Sequence, residues 1–244
     1  MQLPGWLIAL KTILLAKNDD TKNPKNFRPI ACLNITYKLY TGLLNLFLED
    51  HCISNNIISE EQAGGKKGSW GCVDQLMINK MAMEEIRKNR RNAFVMWFDY
   101  KKAFDSVPHS WMVKALELAK VPQQIINNIT ALKQFWNTEV SLQTADESLR
   151  TDQIKYLTGC LQGDSLSLLL FEICTNPLSF LLIKNSDGYM VGESNERTVS
   201  LSHLVCVDDL KTYAKNLPDA LKQLEIITTF SNDIGMSFGA DKCT

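Results

Sequence analysis

Hydrophobic positions along the chain fall into two periods. The run LNITYKLYTGLLNLFLEDHC sets Tyr37, Tyr40, Leu44, Phe47 and Leu48 at helical spacing. A Gly-rich turn at residues 64–68 leads into a second helical stretch over 73–89, where Ser69 or Asp74 is placed to cap or charge the start. Ala93 to Phe98, AFVMWF, is short and wholly apolar, the pattern of a central strand buried on both faces, and it stops at Asp99. Pro108 opens a helix over 110–120. Weaker strands are expected over 138–144 and 151–157, and Ser165 is placed to cap a helix starting at Leu166. Residues 201–207 form another apolar strand that ends in acids, Asp208-Asp209, and 219–232 an amphipathic helix closed by Gly235. The N-terminal MQLPGWLIALKTILLAKND reads equally as strand or helix before a polar loop over 18–26.

Strands and helices mix without regular βαβ alternation, which favours an α+β fold. The composition, 45% hydrophobic and 22% charged, is that of an ordinary globular protein. The net charge of -1 hides an asymmetry: residues 1–102 hold 15 basic and 10 acidic side chains, while 103–244 hold 11 and 17. A basic first half suits a polyanion, and an acidic second half suits one only through cations; random scatter gives the same split. Seven cysteines without a C-x-x-C pair argue against zinc or a disulfide framework and for reduced thiols in an intracellular chain. The most membrane-like stretch, 166–183, is broken by Glu172, Asn176 and Pro177, so a buried helix is expected and no membrane partner. No signal peptide marks the N-terminus, and residues 64–68 lack the P-loop spacing.

Two apolar strands that each end in aspartate carry the chemistry. Carboxylates at strand ends, supported by a dry core, suit hard divalent cations, and two such ions about 4 Å apart stabilise the attacking and leaving oxygens of a phosphoryl displacement. Aspartate also simply favours turns, and a lone Asp-Asp pair would be read that way. The sequence between the two sites decides otherwise.

The stretch FDYKKAFDSV (98–107) resembles the first catalytic motif of reverse transcriptases, LQGDSLS (161–167) their Q-G-x-x-L-S motif, and Val207-Asp208-Asp209 their x-D-D turn. Asn26-Phe27-Arg28-Pro29-Ile30, Gln62-Ala63-Gly64 and Gly235 to Lys242 match further blocks of the family in order. The flavour is similar to non-LTR, LINE-type retrotransposon polymerases, especially the branch with a restriction-like endonuclease.

The resemblance implies a right-hand polymerase with fingers and palm, an antiparallel palm sheet backed by helices, and the thumb absent. Residues 1–92 would be fingers-like and 93–244 palm, with part of 120–160 returning to the fingers. It implies Asp99 and Asp208 as metal ligands with Asp209 in support, two Mg²⁺ ions (Mn²⁺ as substitute), and Lys242 as an acid toward pyrophosphate. Arg28 would pair with the triphosphate, Phe104 would wall the sugar pocket, and Gln162 and Gly163 would lie against nucleotide and template. Core packing for Phe104, a surface charge for Arg28 and a plain turn for Gln162-Gly163 account for the same residues. Asp105 stays outside the metal site as a local cap. Lys66, Lys67, Arg87, Lys88, Arg90 and Arg91 suit either a backbone-tracking surface or a solvated helix end.

Two positions depart from the family pattern. Cys206 stands where an aromatic or Ala is usual, reducing contact with the primer end, and Leu168 stands where Pro would fix the start of a helix. The expected activity is RNA-directed DNA polymerisation from an RNA template, a DNA primer and deoxynucleoside triphosphates. The alternative is a catalytically impaired relic that binds nucleic acid. Thumb, endonuclease and DNA-binding segments are expected from a larger polyprotein, which would work in the nucleus.

Overall fold

A computed structural model of the chain describes residues 4–8, 10–20, 22–23, 26–66, 68–143, 148–192, 198–239 and 243. In chain order the elements begin α1 (Gly5–Ile8), β1 (Leu10–Ala16), β2 (Phe27–Cys32), α2 (Ile35–Ser54), α3 (Cys72–Lys88) and β3 (Phe94–Phe98). Next come α4 (Ala103–Ser106), α5 (His109–Leu118), α6 (Gln123–Gln134), β4 (Asn137–Gln143), β5 (Ser148–Arg150) and β6 (Ile154–Lys155). The remainder is α7 (Ser167–Asn185), β7 (Tyr189–Val191), β8 (Val199–Leu201), β9 (His203–Cys206), β10 (Asp209–Ala214) and α8 (Leu217–Asp233). The fold is α+β, as the pattern predicts. The chain forms two compact units, one from residues 1–55 and 108–170, the other from 56–107 and 171–244.

The first unit is organised by a sheet of order β2-β1-β4-β5, with β6 also paired to β4. Strands β1 and β2 are antiparallel, with Leu14 opposite Pro29 and Leu15 opposite Arg28, whereas β1 and β4 run parallel. Pro29 is tolerated because β2 is an edge strand of this sheet. Helix α2 starts where the Asn34 side chain accepts the Thr36 N–H at 2.9 Å. Its buried stripe is Tyr37, Thr41, Leu44, Leu48 and Cys52. Phe47, expected on that stripe, is 57% exposed, because Thr41 and Cys52 complete the inward face one helical step away. The buried Trp136 indole donates to the Tyr37 hydroxyl at 2.8 Å, so both polar tips are satisfied inside the core. Of the strand expected over 151–157 only the two-residue β6 forms, and β5 lies just before it.

The second unit is organised by the antiparallel sheet β3-β10-β9. Here the pattern misled in one respect: β3 is an edge strand, and β10 is central. Phe94 and Trp97 on β3 are 38% and 45% exposed. An apolar run alone does not distinguish an edge strand with an open apolar face from a central one. Tyr213 of β10, Leu204 of β9, Tyr189 and Ala82 make a buried cluster, covered by Ile86, Val95 and Leu201. Helix α8 is capped by Asn216, whose side chain accepts the Asp219 N–H at 2.9 Å, and Gln223 ties it to β10 by donating to the Tyr213 carbonyl at 3.0 Å. Helix α7 is the one helix among the described residues long and apolar enough to cross a bilayer, and it is mostly buried as core. Asn176 of α7 accepts the Ser59 N–H at 2.9 Å and donates to the Ile57 carbonyl, fixing the entry to residues 59–64.

The seven thiols expected to be reduced are not all so. Cys72 and Cys206 form a disulfide, their Cα atoms 6.0 Å apart across 134 residues of sequence; the other five form none. Sequence spacing gave no hint, because the start of α3 meets the end of β9 only through the tertiary fold.

Candidate active site

In the second unit, β3 delivers Asp99 and the β9–β10 hairpin delivers Asp208 and Asp209. Phe98 pairs with Leu210, so the next antiparallel step sets Asp99 beside Asp209. Residues 237–239 lie along the other side of this chain end. The Lys101 N–H donates to the Ser237 carbonyl at 2.9 Å, and the Gly239 N–H to the Asp99 carbonyl at 2.9 Å. Beneath them Tyr100 is buried, stacked on Phe238 at 4.7 Å between centroids and hydrogen-bonded to the Ser231 hydroxyl at 2.8 Å. Burial pushes the Tyr100 hydroxyl up to about 12, so it stays protonated under Asp99. Asp99 therefore stands on a rigid floor.

The hairpin turn is tight. Asp209 pairs with Cys206, leaving Val207 and Asp208 as its two central residues. Val207 has φ +62°, and Asp208 is not among the positive-φ residues, which is the pattern of a type II′ turn. That turn favours glycine at the position Val207 occupies, and a β-branched residue there is strained.

Asp99 and Asp209 line one cavity of about 560 Å³, together with Trp97, Asn79, Lys211 and the Cys72–Cys206 disulfide. Asp208 lines a second, small cavity of about 20 Å³ with Gln62, Tyr100 and Glu172. Among the described residues no three His, Cys, Asp or Glu side chains gather into a ready-made metal cage. Magnesium does not require one: it is commonly held by one or two carboxylates and keeps its other positions for water and substrate phosphates. Two carboxylates on an open cavity, Asp209 exposed and Asp99 half-buried, fit that donor set.

Sequence reasoning missed the rest of this wall. Lys211 donates to Asn79 and lies 4.0 Å from the Trp97 ring centroid, and burial lowers its pKa. A period-2 signal was present: Lys211 follows Asp209 by two, Trp97 precedes Asp99 by two, and the register pairs Lys211 with Trp97. In the sequence Glu172 is only an interruption of an apolar run. It is buried in α7, and desolvation pushes its carboxyl up to about 8. Phe104 of α4 stacks on Phe171 of α7, centroids 4.6 Å apart. Asp105 donates its backbone N–H to the Lys102 carbonyl at 2.9 Å.

In the first unit the structure brings Gln162 and Gly163 against β2, the strand that carries the exposed Arg28. The Ala31 N–H donates to the Gln162 carbonyl at 2.9 Å. Gly163 has φ +111°, and a Cβ there would lie 2.8 Å from the Ala31 carbonyl oxygen, so both conformation and space require glycine. Helix α7 starts at Ser167, one residue after the expected Leu166, and Asp164 holds the turn that leads into it. Its buried carboxylate takes the Ser165 and Leu166 N–H groups and the Thr41 hydroxyl, the last at 2.5 Å. Burial raises the Asp164 pKa against those hydrogen bonds. Lys67 and Lys242 lie outside the described residues.

Comparison with known proteins gives the family and the fold. The family model described as reverse transcriptase (RNA-dependent DNA polymerase) matches residues 16–244, and the chain belongs to that family. It is 22% identical over 241 residues to the Pol polyprotein of the type-2 retrotransposable element R2DM of Drosophila melanogaster, covering 99% of this chain and 21% of that one. It is 27% identical over 244 residues to the Pol polyprotein of the type-1 retrotransposable element R2 of Popillia japonica, covering 98% of this chain and 32% of that one. The chain thus spans a fifth to a third of these relatives. In fold it is similar to apo telomerase from Candida tropicalis, with a TM-score of 0.64 at 14% identity over 100% of this chain and 44% of that one.

Proposed function

We propose that this chain is the polymerase core of a non-LTR retrotransposon protein, adding deoxynucleotides to a primer 3′-hydroxyl on an RNA template. The observation that carries this reading is the register that seats Asp99 beside Asp209 at the mouth of an open cavity, in a chain of the reverse transcriptase family. Asp99, Asp208 and Asp209 would hold two Mg²⁺ ions, or Mn²⁺, whose charge would offset that developing on the attacking and leaving oxygens. The protein's own contribution is positioning: the Tyr100–Phe238 floor and the hairpin keep the carboxylates from adjusting during the reaction. Arg28 is assigned to the triphosphate, Gln162 and Gly163 to nucleotide and template, Phe104 to the sugar and Lys242 to the leaving pyrophosphate. Fingers over 1–92 and palm over 93–244 remain the proposed division; β4 joining the sheet of β1 and β2 supports the return of part of 120–160 to the fingers, while residues 56–92 pack in one unit with 93–107.

Template RNA, primer DNA and deoxynucleotides are the proposed partners. A thumb, a restriction-like endonuclease and DNA-binding segments would belong to a longer polyprotein acting in the nucleus, supported by the length of the relatives. The competing reading, a nucleic-acid-binding relic, has in its favour the disulfide that ties Cys206 into the cavity wall. Primer extension on an RNA template with Mg²⁺, with Asp99→Asn as control, decides between them. Incorporation by the wild type alone supports the polymerase; salt-sensitive RNA binding without incorporation supports the relic.

A further inference from the structure

The catalytic hairpin contains a conformation that its own residues do not favour. Val207 sits at φ +62°, where a β-branched side chain crowds its own backbone. Val207 lies in the turn, outside the paired residues of the β9–β10 ladder, so its N–H and carbonyl need other partners. Both are met by one side chain from 145 residues away. Gln62 Oε1 accepts the Val207 N–H at 2.9 Å, and Gln62 Nε2 donates to the Val207 carbonyl at 3.3 Å. The same Oε1 accepts the Gly64 N–H at 2.9 Å. The amide stands where a neighbouring strand's peptide would stand.

Gln62 is itself immobilised. Residues 61–63 run parallel to β9, with the Val205 N–H donating to the Glu61 carbonyl at 2.9 Å and the Ala63 N–H to the Val205 carbonyl at 3.0 Å. Gln75 of α3 donates to the Glu61 carbonyl at 2.9 Å, and Asn176 of α7 holds Ser59. Gly64 closes the contact, because a Cβ there would meet Val207 Cγ2 at 2.5 Å and Val207 N at 2.8 Å. The side chain of Gln62 is buried, beside Asp208 in the lining of the small cavity.

We propose that Gln62 is a positioning residue for polymerisation: its amide holds Val207 in the left-handed conformation and so fixes the direction in which Asp208 and Asp209 leave the turn. It touches neither substrate nor the reacting atoms. The role rests on the reading of Asp99, Asp208 and Asp209 as the metal-binding acids. It also explains why Gln62-Ala63-Gly64 stands as a block in the sequence, although no chemistry is visible in those three residues.

The test compares the wild type, Gln62→Leu and the double variant Gln62→Leu/Val207→Gly by three measurements. Glycine takes φ > 0 without help, so the double variant supplies by backbone preference what the amide supplies by hydrogen bonding. Hydrogen exchange of the peptide spanning 205–210 should quicken about tenfold in Gln62→Leu, with peptides of α2 and α8 unchanged. Mn²⁺ affinity of the chain free of nucleic acid, read by electron paramagnetic resonance, should fall about tenfold, as for other residues that orient ligands without binding the metal. Primer-extension kcat should fall about a hundredfold with KM for deoxynucleotide unchanged, the cost of a misplacement near 1 Å. The double variant should recover most of the Mn²⁺ affinity and kcat. Loss of exchange protection throughout the second unit, or full Mn²⁺ affinity and kcat in Gln62→Leu, would overturn the proposal. So would a double variant whose hairpin is protected again but whose Mn²⁺ affinity stays low. If the wild type extends no primer, the polymerase reading fails, while exchange and Mn²⁺ binding still decide whether Gln62 aims the acids.

Discussion

Each unit carries one family motif on a left-handed residue, and the two solve the same backbone problem in opposite ways. In the first unit the residue at φ +111° is Gly163, which has no side chain and lets the turn sit directly on the Ala31 carbonyl. In the second the residue at φ +62° is Val207, which resists that conformation and is held there by Gln62 and Gly64. Glycine gives a turn that forms by itself and can serve as a surface for a ligand. A strained valine gives a turn whose shape is imposed from outside, and so is as stiff as what holds it. Stiffness is of use where charged ligands must be aimed: Asp208 and Asp209 at the second turn line cavities, whereas Asp164 beside the first is buried against Thr41.

The largest effect that would sharpen this contrast is chemical. Asp99→Asn should lower primer extension by about a thousandfold or more while the thermal midpoint stays near that of the wild type, checked by parallel melting curves. A loss of activity no greater than that of Gly163→Ala would remove the distinction between aiming acids and seating nucleotide.

Stability against pH comes next, and it singles out the second unit. His203 on β9 is fully buried, and desolvation lowers its pKa from 6.5 to about 4. The native state holds it neutral, so its contribution is complete above pH 6.5 and is lost as pH falls through 6.5 toward 4. Urea unfolding at pH 7 and pH 4 should show the wild type losing on the order of 3 kcal/mol more than His203→Gln across that interval. Equal losses in the two proteins would mean that His203 is protonated in the fold.

The two turns themselves give the smaller effects. Gly163→Ala combines a left-handed alanine with a 2.8 Å approach to the Ala31 oxygen and should cost about 2 kcal/mol in urea unfolding. Val207→Gly relieves a strained residue and should change stability by about 1 kcal/mol or less, in the stabilising direction. If both glycine exchanges shifted stability the same way, the contrast between the turns would fail.

Much of the site was legible beforehand because it depends on local rules. Asp99 and Asp208-Asp209 were visible as acids ending apolar strands, and Gly163 within its motif, since period-2 burial and turn chemistry are written in neighbouring residues. The helix over 72–88 and the helix after Asn216 were visible for the same reason. The exposure of β3 was not legible, because AFVMWF gives no sign of how many strands lie beside it. Nor was the pairing of Cys72 with Cys206 or the burial of Asp164 before α7, whose carboxylate Thr41 meets from 123 residues away.

For this protein the sequence by itself determined the acids, the order of motifs that places the chain among reverse transcriptases, and the mixed α+β pattern. Only the tertiary structure decided that Asp99 stands beside Asp209 on one cavity while Asp208 lines another. It alone showed that Gln62 holds the turn. The reason is physical: chain periodicity encodes which face a residue presents, whereas register, edge or centre, and a hydrogen bond across 145 residues exist only once the strands have paired.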